Sequence, residues 1–288
     1  MRRGLMWAGF LALGCGPGDT TPPGYAPQPL EDAQASADIA RGVDADPDAA
    51  PAPDAAPARG AALSGVWGMR LETTALTEIP FVGQSVDVQI ALARVTFSGE
   101  PLDAQASLTT CGVRITSSQA AVEQILPEAF VSALGVATRP FSYDLETGRF
   151  EAPRFVEVRG ARLDAPETDA LPTSAEDPRV FDQDADGKPG MTVRVQGLID
   201  GEVYVVQRGA NAFSGARVEG EATAPTRFEG NVVWQSEQTV VGADNRVLEM
   251  SLPSRPSEDA AQQKVVLMRL ADDAGCDAVR AALEPTAP

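Results

Sequence analysis

The 288-residue chain contains no histidine. That single absence removes Ser-His and Cys-His nucleophile pairs, imidazole metal ligands and the commonest general base. Lysine is almost absent too. Lys188 and Lys264 are the only two, and neither has a serine three positions before it, which excludes a Ser-x-x-Lys dyad. No Gly-x-x-x-x-Gly-Lys-[Ser/Thr] occurs, so the loop that cradles nucleotide phosphates is missing. Positive charge is scarce: 41 acids face 23 bases, for a net charge of −18, which repels phosphate backbones and excludes nucleic acid as a partner. Long apolar runs are lacking as well. The longest, Gly4 to Gly14, has eleven residues, whereas a helix crossing a bilayer needs about 20.

What is present begins with the N-terminus. Met1-Arg2-Arg3 is positive, residues 4–14 are apolar and the end is small-residue rich, which is the layout of a secretory signal over residues 1–14. Its last residues, Leu11-Ala12-Leu13-Gly14-Cys15, resemble the lipobox of bacterial lipoproteins, with Ala12 where that family usually has leucine. The resemblance implies that Cys15 becomes a diacylated N-terminus, making the membrane a partner through a lipid anchor. An ordinary signal peptidase cutting at the same bond would leave Cys15 without lipid. Gly16, in place of an aspartate, resembles the sorting signal of outer-membrane lipoproteins in proteobacteria, and places the chain in the cell envelope. With Cys15 lipidated, two cysteines remain. An exported compartment is oxidising enough to pair Cys111 with Cys276.

Residues 15–62 read as a lipid-anchored, disordered tether. Between residues 16 and 62 there are nine prolines, fourteen alanines and one aromatic, Tyr25, too little apolar bulk to offset the entropy of ordering. Such a segment holds the next domain roughly 40 to 140 Å from its anchor.

Residues 63–288 read as one antiparallel β domain with a C-terminal helix. Val86 to Leu92 alternates with period two, and Met191 to Val195 does the same before Asp200-Gly201 turns the chain into Glu202 to Val206. Further strands are expected at 231–234, 239–241, 247–250 and 265–268. Strands at such intervals, parted by turn residues, predict an all-β fold: an antiparallel barrel or sandwich with one or two short helices. The helices are expected over Ser117 to Gly135, restarted at Pro127, and at Cys276, Val279 and Leu283, which share one face.

One motif carries chemistry. Asp182-Gln183-Asp184-Ala185-Asp186-Gly187-Lys188 places carboxylates at alternate positions before a glycine that permits a sharp turn. That spacing wraps oxygens around a hard cation, and Lys188 would add its backbone carbonyl. The pattern resembles the first half of an EF-hand loop and the calcium loops of dockerins and other extracellular β proteins. It departs from them at Gly190 and Val193, where those loops carry acids. The missing ligands must come from water or a distant acid, Glu176 and Asp177 being the nearest in the sequence, and a weak, structural calcium site is expected.

The chain carries two further resemblances. Gly65-Val66-Trp67 opens the folded part and Arg269 ends its last expected strand, which looks like the lipocalin or calycin arrangement, where such a tryptophan packs under an arginine and closes a barrel. The resemblance implies an apolar cup for a hydrophobic ligand. Taken whole, the chain resembles lipoproteins of myxobacterium-like bacteria, with an Ala/Asp/Pro tether and a DxDxDGxPGxTV segment at Asp182 to Val193. No activity comes with that resemblance. The sequence therefore predicts a non-catalytic envelope lipoprotein, with a carrier of a hydrophobic ligand as the alternative. An envelope protein partner fits the first of these. A glycan-active enzyme using paired carboxylates is the only catalytic class that survives the missing histidines.

Overall fold

The computed structural model describes residues 62–79, 83–118, 122–197, 200–249 and 254–284. The expected signal, Cys15 and all but the last residue of the expected tether lie outside the described residues.

Eleven strands and two helices appear in chain order: β1 Val66–Ile79, β2 Gly83–Glu100, β3 Asp103–Ser117, β4 Val122–Ile125, α1 Glu128–Ala133, β5 Val136–Tyr143, β6 Arg149–Arg159, β7 Met191–Gly197, β8 Gly201–Glu221, β9 Ala224–Ala243, β10 Ser254–Pro256, β11 Lys264–Arg269 and α2 Cys276–Leu283. Hydrogen bonding runs β8-β6-β5-β3-β2-β1-β11-β9, and β9 pairs back onto β8. Eight strands thus close into an antiparallel ring in which each neighbour is the next ring strand along the chain. Of the two all-β arrangements the sequence allows, the closed ring is the one formed. β7 and β4 extend from one end of β8, and β10 pairs with β1 outside the ring.

The interior is filled unevenly. Odd positions of β1 and even positions of the first half of β3 point inward, as period-two alternation requires. At one end the rings of Trp67, Phe97, Phe141, Tyr143, Phe150 and Phe228 form a continuous network with centroids 4.6 to 6.1 Å apart. Toward the other end a cavity of about 180 Å³ remains, walled by Met69, Leu71, Leu108 and Trp234 and bounded by Phe130 and Leu134 near α1.

The ring wall is thinnest between β5 and β6, which share only the pairs Ser142↔Glu151 and Tyr143↔Phe150. Beyond them α1 packs between β3 and β7. Phe130 is buried there with Met191, Val193, Val195 and Val203.

A bulge beside Cys111 breaks the alternation of β3, whose inward positions are even up to Thr110 and odd from Val113. Leu92 pairs with Gly112 and Ala93 with Thr110, so Cys111 is the extra residue, and its side chain faces outward. There it forms the disulfide with Cys276, the first residue of α2, with an S–S distance of 2.06 Å. The buried face of α2, Val279 and Leu283, packs with Leu92 and Cys111 on the outside of the ring. The disulfide points to an oxidising, extracytoplasmic compartment. Among the described residues no helix is long and apolar enough to cross a membrane.

Two local expectations are corrected. The segment after Ser117 is not one helix interrupted at Pro127. Its first half forms β4, paired with β7 from Val122↔Gly197 to Ile125↔Arg194. A run as short as Val122 to Leu126 fits either period, and the exposed edge of β7 selects the strand. The strand expected over 247–250 is instead a 3-10 turn over Arg246–Leu248, capped by the Asn245 side chain, which accepts from the Val247 amide. Leu248 is fully buried because that turn folds it onto the β7–β8 pair.

Candidate functional site

The acidic motif lies in the long connection from β6 to β7, residues 160–190, which packs over β8 and β9 through Ala161, Leu171, Tyr204, Val206 and Val241. Both ends of the connection rest against one point of β8. Gly160 and Gly190 have φ of +75° and +82°, and a Cβ on either would meet the Val205 carbonyl oxygen at 2.7 and 2.5 Å. Only glycine satisfies both the handedness and the contact.

Within this frame the motif folds on itself. Asp182 Oδ1 and Oδ2 accept from the amides of Asp186 at 3.2 Å and Gly187 at 2.8 Å, and Asp186 Oδ1 accepts from the Lys188 amide at 2.9 Å. Asp184 Oδ2 accepts from the amide of Thr192 in β7 at 2.9 Å. Ala185 adopts the left-handed region at φ 57°, which turns the chain so that three side chains converge. One carboxylate oxygen from each of Asp182, Asp184 and Asp186 lies within 4.8 Å of the others.

Asp184 differs from its two neighbours in burial. It is 8% exposed, whereas Asp182 and Asp186 are exposed. Its Oδ1 is buried without any hydrogen-bond partner, and so is the hydroxyl of Thr192. Burial raises the Asp184 carboxyl above the usual aspartate range, and the neighbouring charges of Asp186 and Asp182 add to this. An orphaned carboxylate oxygen beside two further carboxylates is the arrangement a cation would complete. The cluster can therefore hold a metal ion.

The other expected site residues take separate places. The ammonium of Lys188 lies 5.4 Å from the Tyr204 ring centroid. Glu176 and Asp177 are engaged elsewhere: Glu176 accepts from Ser174, and Asp177 makes a two-oxygen pair with Arg179 that holds its carboxyl down at about 2. Trp67 and Arg269 are directly paired across β1 and β11, with the guanidinium 4.7 Å from the indole centroid.

Sequence reasoning missed two residues that matter here. Gln183 sits between the acids, accepts from the Gly160 amide at 2.7 Å, and donates to the carbonyl of Ala133 in α1 at 3.1 Å. It ties the acidic loop to the helix that bounds the cavity. Arg139 faces the ring interior from β5 and is 3% exposed. Its signal was its parity: Ala137, Phe141 and Tyr143, at the same spacing, are apolar.

Compared with protein-family models, with curated proteins and with solved structures, the chain matches none.

Proposed function

We propose that this chain is a lipid-anchored lipoprotein of the bacterial cell envelope, held at the outer membrane, whose β domain is non-catalytic and carries a structural calcium ion. The observation that carries the reading is the unpartnered, buried Oδ1 of Asp184 beside Asp182 and Asp186. A hard, oxygen-preferring cation satisfies it, and the looseness of a loop with three carboxylates and the Lys188 carbonyl suits calcium better than octahedral magnesium. The ion pins the long connection to the start of β7. The lipid reading rests on Leu11 to Cys15 and on the disulfide, which an exported protein would form. The non-catalytic reading rests on the sequence, which has no histidine to serve as a general base.

Two experiments test this. Mass spectrometry of the purified membrane form should find the N-terminal peptide starting at a diacylated Cys15. Calorimetric titration should give a calcium dissociation constant of about 10⁻⁴ to 10⁻³ M, lost in Asp182→Asn. An unmodified N-terminus at Cys15, or no calcium heat, sinks the corresponding half.

The cavity favours a second reading, a carrier of a hydrophobic ligand. The ring is packed solid at its aromatic end but keeps about 180 Å³ open above it, room for on the order of ten waters. Binding of a ten-carbon alcohol, competed by longer alkyl chains, is the expected result. A chain that binds no alkyl probe contradicts it.

A further inference from the structure

Among the described residues of the cavity wall, Arg139 is the one cation that no carboxylate neutralises directly. Its Nη1 donates to Asn211 Oδ1 at 2.5 Å, and its Nη2 donates to the carbonyls of Pro153 at 2.7 Å, Asn211 at 3.2 Å and Ala152 at 3.4 Å. All of these acceptors are neutral. The Nε is buried and has no acceptor at all. Aromatic faces flank the guanidinium, Phe213 at 4.1 Å and Phe155 at 5.4 Å. Burial lowers its pKa from the usual arginine value to about 10, with Glu157 opposing that shift.

The charges around the cavity sharpen the point. Its ionisable wall residues are Arg139, Arg159 and Glu157. Glu157 already serves Arg159. One positive charge is left over inside a chain whose net charge is −18. Removing a charge from water without a counter-charge is costly, and bonds to neutral carbonyls recover only part of that cost. Arg139 does bridge the thin seam between β5 and β6, but a neutral donor would hold the same carbonyls without the penalty. The cavity wall is mixed: Met69, Leu71, Leu108 and Phe213 give it an apolar part, and residues such as Gln89 and Gln238 a neutral polar part.

We infer that the ring cavity is a site for a small amphipathic anion, an alkyl chain carrying a carboxylate, with the anionic head at Arg139 and the chain among Met69, Leu71 and Leu108. This rests on the carrier reading and narrows it to a ligand class. The anion supplies the missing acceptor and the missing charge. The aromatic faces of Phe155 and Phe213 keep water from competing.

The test uses the full chain and three ten-carbon probes, decanoate, decanol and decylamine, titrated calorimetrically at physiological ionic strength. Decanoate should bind on the order of tenfold to a hundredfold more tightly than decanol, the increment of a hydrogen bond to a charged group. Decylamine should bind least. Arg139→Gln should bring decanoate down to the affinity of decanol and leave decanol unchanged, and Arg139→Lys should keep part of the preference. Equal binding of decanoate and decanol by the native chain overturns the anion site while leaving the carrier reading standing. If none of the three probes binds, the carrier reading falls and the anion site with it. Should Arg139→Gln fail to fold, the native acid-to-alcohol ratio and the Arg139→Lys variant decide.

Discussion

Arg269 and Trp67 face one another across the β11–β1 ladder, with the guanidinium carbon 4.7 Å from the indole centroid. The same side chain donates from Nε to the Pro225 carbonyl at 3.0 Å and from Nη2 to the Ala62 carbonyl. Trp67 donates from its indole nitrogen to Leu63 O at 3.1 Å. Two residues at opposite ends of the folded sequence thereby tie the entry of the chain, the first and last ring strands and the start of β9 into one corner. Partial burial lowers the Arg269 pKa, which is the cost of placing the cation there.

Truncating that corner should be expensive. Arg269→Ala removes a cation–π contact and leaves two carbonyls without their donor, together about 2–3 kcal/mol. Urea unfolding followed by tryptophan fluorescence should show a lower midpoint with an unchanged slope. Arg269→Lys should recover less than half, because an ammonium cannot reach two carbonyls in a fixed fork. A midpoint equal to that of the native chain would show the corner to be ornamental to stability.

The disulfide holds α2 against the ring across a sequence separation of 165 residues. By the chain-entropy account, closing so long a loop stabilises by about 5 kcal/mol. The double variant Cys111→Ala, Cys276→Ala should therefore melt far below the native protein. Hydrogen exchange should locate the first loss of protection in α2, where Arg280 also donates to the Cys111 carbonyl at 2.5 Å. Retained protection across Cys276–Leu283 in that variant would assign the helix to Val279 and Leu283 alone.

Gln183 links the acidic loop to α1, so ion binding should be felt at the cavity. Calcium should slow amide exchange over Glu128–Ala133 in the native chain, by ordering the loop that presents Gln183 to Ala133. Gln183→Ala should abolish that response and cost about 1–2 kcal/mol for the orphaned Gly160 amide and Ala133 carbonyl. An undiminished response in Gln183→Ala would mean that the coupling runs through β7 instead.

The fold was legible where period and punctuation agreed. Asp200-Gly201 announced the β7–β8 hairpin, and Cys276, Val279 and Leu283 announced α2. Cysteine parity pointed to the pair that the structure joins. Other elements were hidden for physical reasons. β8 and β9 run for 21 and 20 residues, so 231–234 and 239–241 are one strand whose Gln and Ser residues interrupt the apolar signal. β5 went unseen because Arg139 and Pro140 sit at its centre, and an inward arginine breaks the pattern by which strands are found. The three aspartates of the site were readable from spacing alone. The contacts of Gln183, and the burial that singles out Asp184, depend on where β7 and α1 lie and have no local signature.

A thermal melt tests the proposed calcium site most directly. The native chain and Asp184→Asn are each melted in calcium at a hundredfold excess over the dissociation constant, about 10 mM for a site of about 10⁻⁴ M, and in excess EGTA. At a hundredfold excess over the dissociation constant, calcium should stabilise the native chain by about 2.7 kcal/mol, a rise of about five to ten degrees. Asp184→Asn should show no rise, and in EGTA it should melt at or above the native chain, because it removes a buried charge that nothing neutralises. The two curves should therefore exchange order between the two conditions. If calcium moves neither protein, or moves both equally, Asp182 to Gly190 is a folded loop without an ion and the central claim is wrong.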